Sequence, residues 1–307
     1  MSARLKPAPF TRFTTLRNQL GVGQRAFALV AYDELEPGRL KPEERARAAA
    51  IFGPIDQIPL AARSVIVQLK GRDVGGTRLG AERCLHLAIT ANLDRTSPAE
   101  LVYVVFIGPK LRHARVGLRF ARAAAMAHGL TIVEDSSDGF TIVRHDGRRV
   151  RFECFAASRG GDTVRGVPII AAMLDEAAFF MDEATGVVNA EAIFGAIVPR
   201  LLPGGQILIV SSPWAETGLL FDEFTRNFGN PTTALAARCP TLVMRDDPET
   251  AATVARERAR DPENALREFD AEFLPAGSAQ FFDNVAIKNA IDDSLPNPLP
   301  TDWSPAT

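Results

Sequence analysis

The chain has 307 residues, of which 46% are hydrophobic and 23% are charged, and its formal net charge is -2. This composition supports a folded core and excludes bulk disorder, while the near-neutral charge argues against a small basic protein that coats DNA through its phosphates. The length allows two domains or one large one. Three widely spaced cysteines indicate no disulfide framework, and no apolar run reaches the roughly 18 residues that a membrane span requires.

The first part of the chain and the middle part differ in pattern. Residues 1–60 combine short helical patterns with proline and glycine, so we predict a helical N-terminal extension with an amphipathic helix at 43–52. From residue 64 onward, short apolar runs alternate with helical patterns. The runs predict strands at 64–70, 101–107, 168–176 and 206–212. The patterns between them predict helices at 79–93, 111–128 and 189–202.

Two later segments depart from this alternation. Residues 131–155 hold three short apolar runs separated by Asp-Ser-Ser-Asp-Gly and Asp-Gly, which predicts an antiparallel excursion. From Trp214 onward the pattern is mainly helical, at 219–228, 248–260 and 262–273. We therefore predict a core domain over 61–213, a small helical subdomain over 214–283 and a proline-rich linker over 284–307.

Near-continuous apolar strands separated by helices predict an α/β fold with a mostly parallel sheet covered by helices on both faces. Ligands of such sheets bind at the carboxyl ends of the strands. Three segments that directly follow apolar strands are therefore the candidate functional sites, namely 70–78, 175–176 and 211–213.

The first segment is a glycine-rich loop between a strand and a helix. Such a loop cradles phosphate groups, because its backbone N–H groups and the positive end of the helix dipole attract anions. Gly71, Gly75 and Thr77 lie near the frame of the phosphate-loop consensus, but Gly76 stands where that consensus has lysine. Lys70 at the start of the loop partly restores the positive charge. A glycine-rich turn without a ligand is the open alternative.

The other two segments each carry polar groups at the end of a buried strand. Asp175 and Glu176 are costly there unless they hold a metal ion or act on a water molecule, although an Asp that caps the next helix is an alternative. Ser211 and Ser212, followed by Pro213, are suited to sensing a phosphate or a positioned water, but for this triplet alone a plain strand-ending turn is the favoured interpretation.

Two weaker patterns favour structural interpretations. The histidines have no metal-ligand spacing, which favours solvated or core roles for His86, His113, His128 and His145. Four arginines lie on one stripe of a predicted helix, at 112, 115, 119 and 122. A solvated face is the favoured interpretation of this stripe, and a DNA-facing surface is the alternative.

Taken together, the motifs resemble the ATPase domain of the large terminase subunit, the DNA-packaging motor of tailed phages. The resemblance covers about residues 20–285. It is carried by the loop at 70–78, Arg165-Gly166, Asp-Glu-Ala-Ala-Phe at 175–179, Ser-Ser-Pro at 211–213 and Phe-Phe-Asp at 281–283. It implies a P-loop NTPase of the ASCE, RecA-like class, with the segment at 214–283 as a helical lid.

The resemblance also implies a role for each motif residue. Some terminases carry a deviant Walker A loop whose lysine stands at its start, as Lys70 does here. By this resemblance the phosphates of ATP contact Lys70, Gly71, Gly75, Gly76, Thr77 and Arg78. The implied magnesium ligands are Thr77 and Asp175. Glu176 is implied as the catalytic base, Arg72 as a contact of the γ-phosphate, Arg165 as a finger for a neighbouring subunit and Gln24 as a contact of adenine. The implied coupling motif is Ser211, Ser212 and Pro213.

The function implied is hydrolysis of ATP, with Mg²⁺, to move double-stranded DNA into a procapsid in the bacterial cytoplasm. The implied partners are the portal protein, the small terminase subunit and further copies of the chain in a ring, with no membrane. Family members continue into a nuclease domain, and we expect this chain to end where that domain begins. Two alternatives stay open: a helicase-like ATPase, and a nucleotide-binding ring protein whose loop no longer hydrolyses ATP. Gly76 favours the latter, and the intact Asp175-Glu176 pair opposes it.

Overall fold

A computed structural model describes residues 8–58, 63–158, 164–180 and 190–274. In these ranges the strands are β1 (Val65–Lys70), β2 (Val102–Gly108), β3 (Thr131–Val133), β4 (Gly139–Val143), β5 (Arg149–Ala156), β6 (Ile169–Asp175), β7 (Leu201–Ser211) and β8 (Leu235–Cys239). The α-helices are α1 (Phe10–Phe13), α2 (Val22–Ala31), α3 (Pro42–Phe52), α4 (Gly76–Thr90), α5 (Leu111–Ala127), α6 (Ala190–Ile197), α7 (Leu219–Asn227), α8 (Thr241–Met244), α9 (Pro248–Arg260) and α10 (Pro262–Glu268).

All of these strands belong to one sheet, in the order β3-β4-β5-β2-β6-β7-β1-β8. The pairs from β5 through to β8 are parallel, whereas β3–β4 and β4–β5 are antiparallel. The predicted excursion at 131–155 is confirmed, and its last strand rejoins the parallel sheet beside β2. The predicted α/β class with a mostly parallel sheet is therefore confirmed.

Side chains alternate along the central strands and fill a separate apolar layer on each face of the sheet. On β7, Leu208 and Val210 pack with one layer, and Ile207 and Ile209 pack with the other. Helices α2, α3, α4 and α5 contribute to the first layer, and α6 and α7 contribute to the second. Burial on both faces explains why these strands have near-continuous apolar sequences.

The N-terminal extension is attached to the helix that begins in the glycine-rich segment. Glu82 of α4 is 1% exposed. Its carboxylate accepts hydrogen bonds from the Thr14 hydroxyl at 2.7 Å and from the Thr15 amide at 2.7 Å. These bonds satisfy a buried charge that would otherwise be costly. They also fix the chain before α2 against α4.

The structure differs from the sequence-based expectation at β8. The pattern after Trp214 predicted helices alone, but Leu235–Cys239 is a strand that pairs in parallel with β1. It is the last strand of the sheet, and its sequence, Leu-Ala-Ala-Arg-Cys, has no β-branched residue such as those that mark β1, β2, β6 and β7. The segment at 214–283, predicted as a helical lid, therefore contributes one strand to the central sheet. Whether the rest of it acts as a lid stays a prediction.

Boundaries of two other elements also differ. The predicted helix at 189–202 ends earlier, because α6 is followed by a short 3-10 turn and β7 already starts at Leu201. The predicted Phe281-Phe282-Asp283 motif and the linker at 284–307 lie outside the described residues. Within the part of the chain that the structure describes, no helix is both long and apolar enough to cross a membrane.

We predict that Gly23→Ala destabilises the fold. A Cβ at Gly23 of α2 would lie 2.0 Å from the carbonyl oxygen of Val243 in α8, so one backbone must shift. The expected loss in the free energy of unfolding is about 2 kcal/mol or more, as for overpacked sites, and chemical denaturation measures it. The matched control is Gly195→Ala in α6, where no atom lies within 4 Å. An unchanged stability of Gly23→Ala would contradict the close approach of these two helices.

Candidate nucleotide-binding site

The polar strand ends singled out in the sequence lie at one edge of the sheet. Leu69 pairs with Ser211, and Asp175 pairs with Val210, so the carboxyl ends of β1, β6 and β7 are adjacent. Lys70, which follows Leu69, and Glu176, which follows Asp175, are therefore brought together. Parallel strands place their ligand-binding residues at this edge.

The segment between β1 and α4 forms a tight loop. Asp73 and Gly75 have left-handed backbone, with φ of 58° and 77°, which is a conformation that glycine adopts without strain. The loop lines a cavity of about 370 Å³ beside the first turn of α4. A loop of this kind at a helix N-terminus is suited to binding phosphate groups.

Gly71 serves close packing in this loop. A Cβ at Gly71 would lie 2.5 Å from the Thr241 hydroxyl oxygen and 2.6 Å from the Phe269 carbonyl oxygen. Its N–H group donates to the Cys239 carbonyl at 2.9 Å. This N–H group is therefore engaged by the end of β8, and the predicted phosphate contact of Gly71 stays a prediction.

Lys70 extends across the position where the phosphate-loop consensus has lysine. A Cβ at Gly76 would lie 3.1 Å from Cδ of Lys70 and 3.1 Å from Cγ1 of Val210. The Lys70 stem therefore passes over Gly76, and its ammonium reaches Oε1 of Glu176 at 2.6 Å. Its side chain is 11% exposed, so this cation is held inside the site.

Thr77 and Asp175 face each other below this ion pair. The Thr77 hydroxyl donates to the two carboxylate oxygens of Asp175 at 3.1 and 3.2 Å. Burial raises the pKa of Asp175 to about 7, against the opposing effect of the Lys70 charge. A hydroxyl and a carboxylate are the oxygen donors that Mg²⁺ accepts from P-loop proteins, while phosphates and water supply the rest. The donor set fits this ion.

Glu176 is held by the segment predicted to couple hydrolysis to movement. It has left-handed backbone with φ of 58°. Its N–H group donates to Val210 at 2.7 Å, and the N–H group of Ser212 donates to Oε2 of Glu176 at 3.3 Å. The Ser211 hydroxyl lies 3.5 Å from the same oxygen and accepts from the Ala178 N–H group at 3.2 Å. Pro213 follows these serines and is buried.

The two loop arginines point to different partners. Arg72 forms an ion pair through Nε with Glu268, the last residue of α10. Arg78 lies 3.4 Å from Glu82 through Nε and donates to the Thr15 hydroxyl at 3.3 Å. Arg78 therefore contributes to the attachment of the N-terminal extension, although it also lines the loop cavity.

Gln24 contacts the loop backbone. Its amide nitrogen donates to the Val74 carbonyl at 2.9 Å, and its amide oxygen accepts from the Gly21 N–H group at 3.1 Å. Gln24 thus supports the loop, and its predicted contact with adenine is not tested by this arrangement. Arg165 lies four residues before β6 and is exposed, and its role as a finger for a neighbouring subunit also stays a prediction.

A second cavity, of about 530 Å³, adjoins the first and shares Lys70 and Asp73 with it. It is also lined by His113, Glu176 and Glu268. Sequence reasoning assigned His113 a solvated or core role and did not consider Glu268. His113 follows the carboxyl end of β2. The rule that ligands bind at the carboxyl ends of parallel strands therefore also applies to it.

Neither a protein-family model nor a curated protein matches this chain. Several solved structures do match it. The large terminase ATPase domain of Thermus phage P74-26 matches with a TM-score of 0.52 and 19% identity, over 70% of this chain and 90% of that one. A large terminase from another thermophilic bacteriophage, in its crystal form 3, matches with a TM-score of 0.51 and 12% identity, over 69% of this chain and 48% of that one.

The chain has the fold of a large terminase ATPase domain. Its eight-stranded, mostly parallel sheet with helices agrees with the α/β fold of that domain. The P74-26 match involves most of both chains, whereas this chain spans about half the length of the second terminase. The predicted resemblance to large terminases is thus confirmed at the level of the fold.

We predict that Asp175→Asn stabilises the nucleotide-free protein at pH 8 and not at pH 4. Burial raises the pKa of Asp175 to about 7, so the carboxyl favours folding at low pH and loses this advantage as the pH rises through that value. At pH 8 the neutral isostere avoids the buried charge, and we expect a gain of roughly 1 kcal/mol or more in the free energy of unfolding. Thermal unfolding at both pH values, in EDTA, measures it. Equal effects at both pH values would contradict the raised pKa.

Proposed function

We propose that this chain is the ATPase motor domain of a phage large terminase subunit, which hydrolyses ATP to translocate double-stranded DNA into a procapsid. The observation that carries the proposal is the convergence of Lys70, Thr77, Asp175 and Glu176 at one sheet edge beside a glycine-rich loop. The fold likeness supports it. The second of the two phage terminases, in complex with ADP, matches with a TM-score of 0.50 and 13% identity, over 69% of this chain and 48% of that one.

Phosphoryl transfer requires positioning and charge neutralisation more than covalent chemistry. In the proposed site, the loop after β1 and the ammonium of Lys70 hold the phosphates. Thr77 and Asp175 would hold Mg²⁺, which supplies charge neutralisation at the phosphate oxygens when bound. Glu176 orients the attacking water and accepts its proton.

Because of the Lys70–Glu176 ion pair, the nucleotide must bind in the proposed mechanism before Glu176 acts on water. In the structure, the Lys70 ammonium and the Glu176 carboxylate pair at 2.6 Å. A polyphosphate in the loop competes for the Lys70 ammonium, because it carries more negative charge than one carboxylate. Once Lys70 moves to the phosphates, Glu176 is free to act on water. The movement of Lys70 from Glu176 to the phosphates thus holds the substrate and at the same time releases the carboxylate of Glu176 to act as the base.

The coupling motif and the partners complete the proposal. Ser211 and Ser212 contact the carboxylate of Glu176. A movement of that carboxylate during hydrolysis therefore alters these contacts at the end of β7. In the proposed motor, further copies of the chain form a ring on the portal protein in the host cytoplasm, and Arg165 reaches a neighbouring site. The small terminase subunit and a nuclease domain of the whole protein belong to the same proposal.

A ring protein that binds nucleotide without hydrolysing it is the alternative that Gly76 favoured. The position of the Lys70 stem over Gly76 weakens it, because the cation that the loop lacks at residue 76 is supplied from residue 70. A decayed site would not need the paired contacts of Thr77 with Asp175 and of Ser212 with Glu176.

Glu176→Gln tests the assignment of the base. We expect it to lower ATP turnover by about a hundredfold or more while ATP binding is retained, because the amide preserves shape but accepts no proton. Phosphate release and fluorescent-nucleotide binding measure the two effects. Glu153→Gln, in β5, is the matched control and should turn over ATP at the wild-type rate. Undiminished turnover in Glu176→Gln would remove Glu176 from the mechanism.

Lys70→Ala tests the deviant loop. We expect turnover to fall by about a hundredfold or more, the scale of a removed transition-state donor. Arg72→Ala, measured in parallel, separates the two cations. If Lys70→Ala loses less than about threefold while Arg72→Ala is inactive, the arginine alone supplies the charge at the phosphates.

A further inference from the structure

Arg72 and the C-terminal end of α10 are joined by several contacts. The guanidinium of Arg72 pairs with the carboxylate of Glu268. The Arg72 N–H group donates to the Glu268 carbonyl at 2.6 Å, and the Arg72 carbonyl accepts from the Thr241 hydroxyl at 2.8 Å. The loop is therefore attached to α10 by its backbone as well as by the ion pair.

The ion pair faces the same cavity as Lys70 and Glu176. Arg72, Glu268, Lys70 and Glu176 all line the cavity of about 530 Å³. The Arg72 side chain is 63% exposed, whereas that of Glu268 is only 11% exposed. Each of these cations is thus paired with a carboxylate, and Arg72 is the more exposed partner of the second pair.

Glu268 also connects the loop to the coupling motif. Its second carboxylate oxygen lies 3.3 Å from Nε of Arg267. The guanidinium of Arg267 lies 4.6 Å from the centre of the Trp214 ring, and Trp214 directly follows Pro213. The Trp214 ring in turn packs against Phe179, three residues after Glu176, at 5.2 Å. Contacts through Arg267 and Trp214 therefore connect Glu268 to the segment that follows Ser212 and to Phe179, and both of these lie close to Glu176 in the site.

We propose that Glu268 is a positioning residue that competes with the terminal phosphate of a nucleoside triphosphate for Arg72, and so makes the site respond to triphosphate and not to diphosphate. This inference rests on the proposed ATPase function. The carboxylate of Glu268 repels an incoming phosphate unless Arg72 turns from it to that phosphate. A diphosphate lacks the group that would draw Arg72 away, so the Arg72–Glu268 pair persists. A ligand shifts an equilibrium only by its difference in affinity for the two states, and here the terminal phosphate provides that difference.

The decisive variant is Glu268→Gln, which keeps the shape of the side chain but removes the competing charge. The probes are ATPγS and ADP, each measured with Mg²⁺ by titration calorimetry. We expect Glu268→Gln to bind ATPγS at least about threefold tighter than wild type, the scale of a partly exposed ion pair, with ADP affinity unchanged. Glu272→Gln, whose carboxylate pairs with Arg238 on the same segment, is the matched control and should change neither affinity.

Two further measurements separate this role from a structural one. The double variant Arg72→Ala/Glu268→Gln should bind ATPγS as Arg72→Ala alone does, because the competition requires Arg72. In a Trp303→Phe background Trp214 is the sole tryptophan. Its emission should change with ATPγS and not with ADP.

The outcomes distinguish this inference from the proposed function. If wild type binds ATPγS but Glu268→Gln binds it with equal or lower affinity, or gains equally for ADP, the competition is wrong while the ATPase proposal stands. An additional effect of Glu268→Gln in the absence of Arg72 also contradicts it. If wild type binds neither nucleotide, the proposed function fails, and this inference fails with it.

Discussion

Lys70 and Glu176 lie at the edge of a sheet whose faces are both apolar, where a single charge would be strongly disfavoured. The two side chains form an ion pair at 2.6 Å, in which that of Lys70 is 11% exposed and that of Glu176 is 31% exposed. Asp175 is one residue away and is hydrogen-bonded to a hydroxyl rather than to a cation. Burial raises the pKa of this carboxyl to about 7, which shows how strongly the site disfavours a carboxylate without a cationic partner. The site is therefore charged but internally neutralised, and a ligand that binds there must compete for cations that already have partners.

The same constraint applies to Arg72, but its partner comes from a distant part of the chain. Strand β8 pairs with β1 and ends at Cys239, whose carbonyl accepts from the Gly71 N–H group. The short helices that follow β8 are therefore placed against the loop, and Glu268 reaches Arg72. Two cations of one short loop are thus balanced by two carboxylates, one from the Asp-Glu segment after β6 and one from the C-terminal segment.

The sequence predicted the parts of this arrangement that depend on local pattern. Strands buried on both faces need near-continuous apolar residues, so β1, β2, β6 and β7 were found, and the strand-end rule then brought Lys70, Asp175, Glu176 and Ser211 to one edge. Strand β8 was missed because two alanines and an arginine fill three of its five positions. Glu268 was missed for the same reason, since its closeness to the loop follows from β8 and not from any motif. For Gln24, the structure shows a contact with the Val74 backbone, and no pattern of residue types predicts such a contact.

Gly76 illustrates how a departure from a consensus acquires a physical meaning from the structure. Alone, a glycine in the lysine position suggests a loop that has lost its cation. The Lys70 stem and the Val210 side chain each lie 3.1 Å from where a Cβ at residue 76 would be, so even alanine is tight there. Lysine side chains at both residue 70 and residue 76 would therefore overlap in this space. The course of the Lys70 side chain at the end of β1 therefore depends on a glycine at the start of α4, and in the proposed site these two residues together place the cation beside the phosphates.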